Sequence, residues 1–134
     1  MSAQATIKRW HQIVESRDMS ALEAIVSEDA LFRSPVAHSP YHGREALILA
    51  LSNVIEVFQD FTYHREFIAA DGKNACLEFS AHVDGKKLKG VDLIAFDAEG
   101  KIREFEVMIR PASGLMALGQ AMGARVGAEL VKHK

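Results

Sequence analysis

Residues 90–111, GVDLIAFDAEGKIREFEVMIRP, predict two β-strands joined at a tight turn. The first half is an apolar run, and apolar residues alternate with charged ones in the second half. The corner at 97–100 provides the glycine that antiparallel hairpins favour. Pro111 ends the second strand, because proline has no backbone N–H to donate. Asp92 is the exception in this pattern, since it places a carboxylate among apolar neighbours.

Two further strands precede this pair, so the second half of the chain predicts a four-stranded meander. The turn signals Asp71-Gly72 and Asp84-Gly85 separate segments in which apolar and polar residues alternate. That alternation is typical of strands that bury one face. The four strands are predicted at 61–70, 74–83, 87–96 and 102–110.

The remainder of the chain is predicted to be mainly helical. Ile7, Trp10 and Val14 recur on one face of a helix over 4–16, and Ser20 is placed to cap a short second helix. The other predicted elements are a strand at 29–34, a proline-bearing loop at 34–43, a helix that follows Gly43 and reaches Phe58, and a final helix from Ser113 to about 131.

The final helix contains three glycines at four-residue spacing, Gly119, Gly123 and Gly127. Each costs about 1 kcal/mol of helix propensity relative to alanine. One interpretation is a flat face that lets a neighbouring element approach closely. The other is a loosely held helix that moves over a pocket.

Composition and charge are those of an ordinary globular chain. The 134 residues carry a formal net charge of -2, which gives no electrostatic reason to expect nucleic acid or an anionic membrane as a partner. Cys76 is the only cysteine, and no zinc-type spacing of cysteine and histidine occurs. Without a signal-like start or a long apolar run, we expect one cytoplasmic domain over 1–134.

Alternation along the third strand of the meander predicts that Asp92 points inward. It shares a face with Leu88, Ile94 and Phe96, whereas Lys87 lies on the opposite face. Two outcomes stay open at this point. An unpaired carboxyl in apolar surroundings has a raised pKa and becomes a neutral hydrogen-bond donor, whereas a paired one is structural.

Three segments carry a resemblance to a known family: LEAIVSEDALFRSP at 22–35, GREA at 43–46 and GVDLIAFDAEGKIREFEV at 90–107. In their order and spacing, the chain resembles the nuclear-transport-factor-two-like superfamily, within its SnoaL-like and ketosteroid-isomerase-like branch. The resemblance implies an α+β fold in which a curled antiparallel sheet of four to six strands forms a cone. The N-terminal helices and a third helix would close the cone, a C-terminal helix would follow, and a small-molecule pocket would lie inside.

The resemblance also implies roles for particular residues. In ketosteroid isomerase a protonated aspartic acid in an apolar site donates to the developing oxyanion, and by similarity that position is Asp92. The isomerase's catalytic base directly precedes a proline, where this chain has Ser34. Its oxyanion tyrosine lies on the first helix, which here has Trp10 and His11 but no tyrosine.

Further candidates lie in the proline-bearing loop and along the predicted apolar faces. His38 and His42 are candidates for a general base or are solvated loop residues, because histidine titrates near neutrality. Tyr41 is a candidate to offer its hydroxyl to a ligand or to cover the core edge. The predicted ligand-binding residues are Trp10, Phe32, Ser34, Phe58, Tyr63, Phe79, Ile94, Val107 and Ile109. No metal site is predicted.

The first functional hypothesis is a cofactor-independent enzyme that isomerises, cyclises or dehydrates a small apolar carbonyl compound of steroid or polyketide type. Asp92 would be its acid, with His38, His42 or Tyr41 as auxiliaries. The alternative is a non-catalytic ligand-binding or association module on the same fold, since fold alone does not determine activity. A homodimer through the outer sheet face is expected from the resemblance.

Overall fold

The computed structural model describes residues 2–134 and contains a six-stranded sheet with three α-helices packed around it. The helices are α1 (Ala3–Ser16), α2 (Arg44–Val57) and α3 (Ala112–Leu130), with short 3-10 helices at Met19–Ala24 and Val131–His133. The strands are β1 (Val26–Arg33), β2 (Tyr41–His42), β3 (Gln59–Ile68), β4 (Asn74–Val83), β5 (Lys86–Phe96) and β6 (Ile102–Arg110).

The strand order is β2-β1-β6-β5-β4-β3, and the sheet is curled without closing. The β3–β6 meander is antiparallel throughout, as predicted. The departure is β1, which pairs parallel to β6, for example Phe32 with Phe105, so the sheet is mixed. This pairing joins segments some seventy residues apart, and no local turn signal in the sequence specifies such a partner.

The residues predicted to cap two helices do not cap them in the structure. Ser20 does not cap the second helix, because that helix begins at Met19 and the Ser20 hydroxyl donates to Asp18 at 2.6 Å. Ser113 does not cap α3, which follows Pro111 directly and has no side-chain cap. The loop predicted at 34–43 also contains the short strand β2.

The core fills the space between the helices and the inner face of the sheet. Ile13, Leu22 and Leu47 from the helical side are fully buried, as are Leu77 and Phe105 from the sheet. This burial of apolar side chains from both layers is the main force that holds the helices on the sheet.

The glycines of α3 differ from one another in their surroundings. A Cβ on Gly114 would lie 2.7 Å from Leu88 Cβ, so the start of α3 approaches β5 at backbone distance. A Cβ on Gly119 would lie 3.1 Å from Val36, whereas Gly123 and Gly127 have nothing within 4 Å. Close approach therefore accounts for Gly119 but not for the two glycines after it.

None of the helices in residues 2–134 is long and apolar enough to cross a membrane.

Candidate functional site

A cavity lies between the inner face of the sheet and all three α-helices. The centre of a water molecule can reach a volume of about 140 Å³ inside this cavity. A single bound water needs only a small part of that volume. Most of the predicted ligand-binding residues line it, and the lining includes Trp10, Phe32, Ser34, Tyr41, Phe58, Tyr63, Phe79, Asp92 and Val107. The walls are otherwise almost wholly apolar, so the few polar atoms decide what the cavity can recognise.

Asp92 points into this cavity, as alternation along its strand predicts. It lies in the middle of β5, where Leu77 of β4 and Val107 of β6 are its neighbours across the sheet. Only 5% of its surface is exposed. A carboxyl group in this position has lost nearly all contact with bulk water, and its charged form is disfavoured.

A chain of hydrogen bonds leads from α1 to this carboxyl. The indole N–H of Trp10 donates to the Tyr63 hydroxyl over 2.9 Å, and that hydroxyl donates to Asp92 Oδ2 over 2.6 Å. Tyr63 lies on β3, two strands away from β5 in the sheet order. The three side chains therefore come from three different elements and meet only in the folded cone.

The second oxygen of Asp92 is free. Within residues 2–134 no hydrogen bond reaches Oδ1, and no fully buried side-chain oxygen or nitrogen lacks a partner. Oδ1 therefore retains accessible surface, and Asp92 lines the cavity. No lysine or arginine of the described chain pairs with this carboxyl.

Burial without a cation raises the pKa of Asp92 to about 7, and the hydrogen bond from Tyr63 offsets this only in part. The same burial, with the charge of Asp92 beside it, raises the pKa of Tyr63 well above its ordinary value. Tyr63 is therefore a neutral donor at physiological pH. Asp92 has no cation partner among the described residues, which corresponds to the unpaired alternative left open by the sequence.

Four predicted site residues are not brought to the cavity. His38 and His42 are exposed and lie outside the cavity wall. Ile94 is buried in the core, and Ile109 lines a shallow cleft at Gly90 instead. The two histidines are exposed because the chain from Ser34 to Gly43 runs along the surface. In β2 only Tyr41 points inward.

Tyr41 does line the cavity, where its ring stacks on Phe32 at a centroid distance of 6.2 Å. Ser34 lines the cavity as well, and its Oγ accepts a hydrogen bond from the Val36 backbone N–H at 3.1 Å. That bond fixes the turn after β1. Val36 is itself 54% exposed while lining the cavity, which places this turn at the cavity's edge.

The final helix α3 contributes to the wall, which the sequence had left open. Leu118, Gly119, Met122 and Gly123 all line the cavity. The four-residue glycine spacing was the available signal, because it marks a helix face without side chains. The sequence interpretation missed Phe61, although its ring packs edge-on against Tyr63 at 4.9 Å.

The outer face of the sheet carries a separate charged cluster. Glu78 is only 6% exposed because Arg65 and Lys89 cover it, at 2.6 and 3.1 Å from its Oε2. Hydrogen bonds from the Arg65 guanidinium hold the pKa of Glu78 well below its ordinary value.

Within the described chain, no three histidine, cysteine or carboxylate side chains meet in a group that could hold a metal ion.

Comparison with known proteins decides the family. The SnoaL-like domain matches residues 7–105. The chain belongs to the SnoaL-like family. This confirms the resemblance seen in the sequence and the cone architecture that it implied.

Solved structures extend the comparison of this SnoaL-like protein. A steroid delta-isomerase from Pseudomonas aeruginosa is 49% identical, with 96% of this chain and 94% of that chain covered and a TM-score of 0.91. A bacterial protein with a cystatin-like fold from Silicibacter pomeroyi is 36% identical, with 96% and 91% covered and a TM-score of 0.87.

The epoxide hydrolase/cyclase-like enzyme SalBIII shares the fold at 18% identity, with 84% and 92% covered and a TM-score of 0.67. At that identity the likeness concerns the fold alone. No curated protein sequence matches this SnoaL-like chain.

Proposed function

We propose that this SnoaL-like protein binds a small, neutral, mainly apolar molecule and that Asp92 donates a hydrogen bond or a proton to an oxygen of that molecule. The reaction would be an isomerisation, cyclisation or dehydration without a cofactor. The observation that carries the proposal is a buried carboxyl with one unpartnered oxygen on an apolar cavity and no cation beside it. Such a group acts as a hydrogen-bond donor at the position where negative charge develops on a substrate.

The pKa of the carboxyl suits this role. A general acid is most effective when its pKa lies near the working pH, and burial raises the pKa of Asp92 to about 7. The lack of positively charged side chains in the cavity wall also restricts the charge that a ligand can carry. No lysine, arginine or histidine lines the described cavity, so a carboxylate or phosphate on the ligand would have no positive partner there.

The steroid delta-isomerase relative supports a carbonyl compound as substrate. This chain has Ser34 before Pro35, however, and Asp92 is the only carboxyl among the described cavity residues. A single carboxyl with a pKa near 7 can both give and take a proton at neutral pH. We therefore propose that Asp92 serves both directions of proton transfer, without a second side-chain base.

The test is a ligand and turnover screen of steroid enones, phenols, terpenoids and polyketide-like aromatics against the parent and Asp92→Asn. Asparagine keeps the shape and offers an N–H donor but cannot transfer a proton. We expect ligands that raise the melting temperature of both proteins, with turnover only in the parent. Turnover that is unchanged in Asp92→Asn would remove Asp92 from the chemistry.

A non-catalytic binding module is the second candidate, and the lack of a second carboxyl and of any histidine or lysine in the described cavity wall favours it. Its signature in the same screen is ligands that stabilise the parent and Asp92→Asn equally, with no turnover of any of them. A third outcome, no stabilising ligand in any class, would contradict both candidates.

The assembly and the setting are further parts of the proposal. Phe67 and Met108 are 58% and 48% exposed on the outer sheet face, which supports a homodimer formed there. We expect sedimentation to give a dimer that Met108→Glu weakens, whereas Met116→Glu on α3, 64% exposed in the parent, does not. The single unpaired Cys76 suits a reducing, cytoplasmic setting.

A further inference from the structure

We propose that Tyr63 and Trp10 are positioning residues, which hold Oδ2 of Asp92 as a hydrogen-bond acceptor and so direct its acidic proton from Oδ1 into the cavity. The inference rests on the proposed function and specifies how the acid is oriented. Neither residue would donate to the ligand itself.

The direction of the chain follows from the chemistry of its first member. An indole N–H can only donate, so the Tyr63 oxygen must accept from Trp10 over the observed 2.9 Å. The hydroxyl then has its own proton to give, and Asp92 Oδ2 lies 2.6 Å away. Each group therefore donates to the next, and the last acceptor is the carboxyl.

The position of the acidic proton follows from the same bonds. Since Oδ2 accepts from Tyr63, the neutral carboxyl carries its proton on Oδ1. Oδ1 has no partner within residues 2–134 and retains accessible surface. The free O–H of the acid is thereby presented to whatever occupies the cavity.

Aromatic contacts keep the Tyr63 hydroxyl in place. Its ring is held edge-on by Phe61 and by His11, each at a centroid distance of 4.9 Å. His11 is fixed in turn by Glu66, with Nε2 and Oε1 2.6 Å apart. Because the Tyr63 ring is packed on two sides, it loses little further conformational entropy when its hydroxyl donates to Asp92. This favours the hydrogen bond between the two side chains.

Few other titratable groups face this unit. Among the described residues, β3 contributes Glu66, α1 contributes His11, and the neighbouring strand β4 contributes Cys76. Tyr41 lies on the same cavity wall and comes from β2. The cavity-lining residues of α2, β6 and α3 carry no titratable side chain.

The experiment measures the pKa of Asp92 by carboxyl ¹³C NMR in the free protein, in the parent and in Tyr63→Phe, Trp10→Phe and Tyr41→Phe. The bond from Tyr63 favours the charged form of the carboxyl, so loss of this donor should raise the pKa of Asp92 by about one to two. Trp10→Phe should raise it by less, because the bond from Tyr63 stays but is no longer polarised. Tyr41→Phe should leave it unchanged.

The sign of the change separates the two possible directions of the bond. If neutral Asp92 instead donated to Tyr63, Tyr63→Phe would remove an acceptor and lower the pKa of Asp92. A fall, or no change, in Tyr63→Phe overturns the inference. If Tyr63→Phe does not fold, Trp10→Phe decides, since a pKa of Asp92 equal to that of the parent then overturns it.

The proposed function fails separately, because this titration needs no ligand. A raised pKa in Tyr63→Phe, together with no ligand or turnover in the screen, supports the orientation of the acid and contradicts the function. An unchanged pKa together with turnover that depends on Asp92 contradicts only the role of Tyr63 and Trp10.

Discussion

Replacing Asp92 by asparagine should remove a pH-dependent penalty on folding. Asparagine has the same shape, its side-chain oxygen accepts the bond that Asp92 Oδ2 accepts from Tyr63, and its N–H group faces the cavity. The variant therefore imitates the protonated acid at every pH. Any difference between the two proteins that depends on pH reports the ionisation of this one buried group.

The sign and the size follow from the pKa. In the folded protein the pKa of Asp92 is raised from an ordinary 3.8 to about 7, so the folded state binds the proton more tightly than the unfolded chain. This contribution to stability is fully present below pH 3.8 and is lost as the pH rises to 7. At 1.36 kcal/mol per unit of pKa, the loss is about 4 kcal/mol.

The assay is urea unfolding of both proteins at intervals from pH 4 to pH 8. The free energies of unfolding should nearly coincide at the acidic end, and Asp92→Asn should be the more stable protein by about 4 kcal/mol at the alkaline end. Asp84→Asn, which removes the same charge from an exposed turn, is the control and should show no such divergence. If the curves of Asp92→Asn and the parent run parallel across the whole range, the carboxyl ionises normally and the reasoning about its environment is wrong.

Three further predictions concern α3, β5 and the outer face. Gly123→Leu should abolish the thermal shift given by a cavity ligand, whereas Gly127→Leu should not, because Gly123 lines the cavity; both changes replace glycine by a better helix former, so helix propensity does not distinguish them. Gly90→Ala should destabilise by about 1–3 kcal/mol in urea unfolding, because its Cβ would lie 2.5 Å from a backbone oxygen of β6; equal stability would contradict the close approach. Glu78→Gln should be less stable than the parent at pH 7, with the difference shrinking as the pH falls below 4.5, because pairing with Arg65 lowers the pKa of Glu78; a constant difference between pH 3 and pH 7 would contradict this.

Local pattern predicted the elements of this fold more closely than their ends. The strands over 74–83 and 102–110 were predicted to the residue, because alternation, Gly-bearing turns and Pro111 all act within a few positions. The start of β3 was predicted two residues late. Ser20 and Ser113 show why helix starts are harder, since several neighbouring residues can satisfy the same backbone groups.

The candidate site was predicted in part for the same reason. Asp92 was identified as inward-facing because a strand alternates its side chains, which is a local property. His38 and His42 were left as candidate bases or solvated loop residues, and both are exposed in the structure, which agrees with the second alternative. The bond from Tyr63 to Asp92 spans two strands of the sheet, and no spacing in the sequence encodes that distance.

The sequence by itself determined the strands of the meander, the helices and the inward direction of one carboxyl, because these depend on neighbours within a few residues. Only the tertiary structure decided that β1 pairs with β6, that α3 forms part of the cavity wall, and that Trp10 and Tyr63 reach Asp92. The physical reason is that burial and hydrogen bonding across the cone join residues far apart in the chain. The pKa of Asp92 belongs to this second group, since it is set by the water and the cations that the folded cavity keeps away.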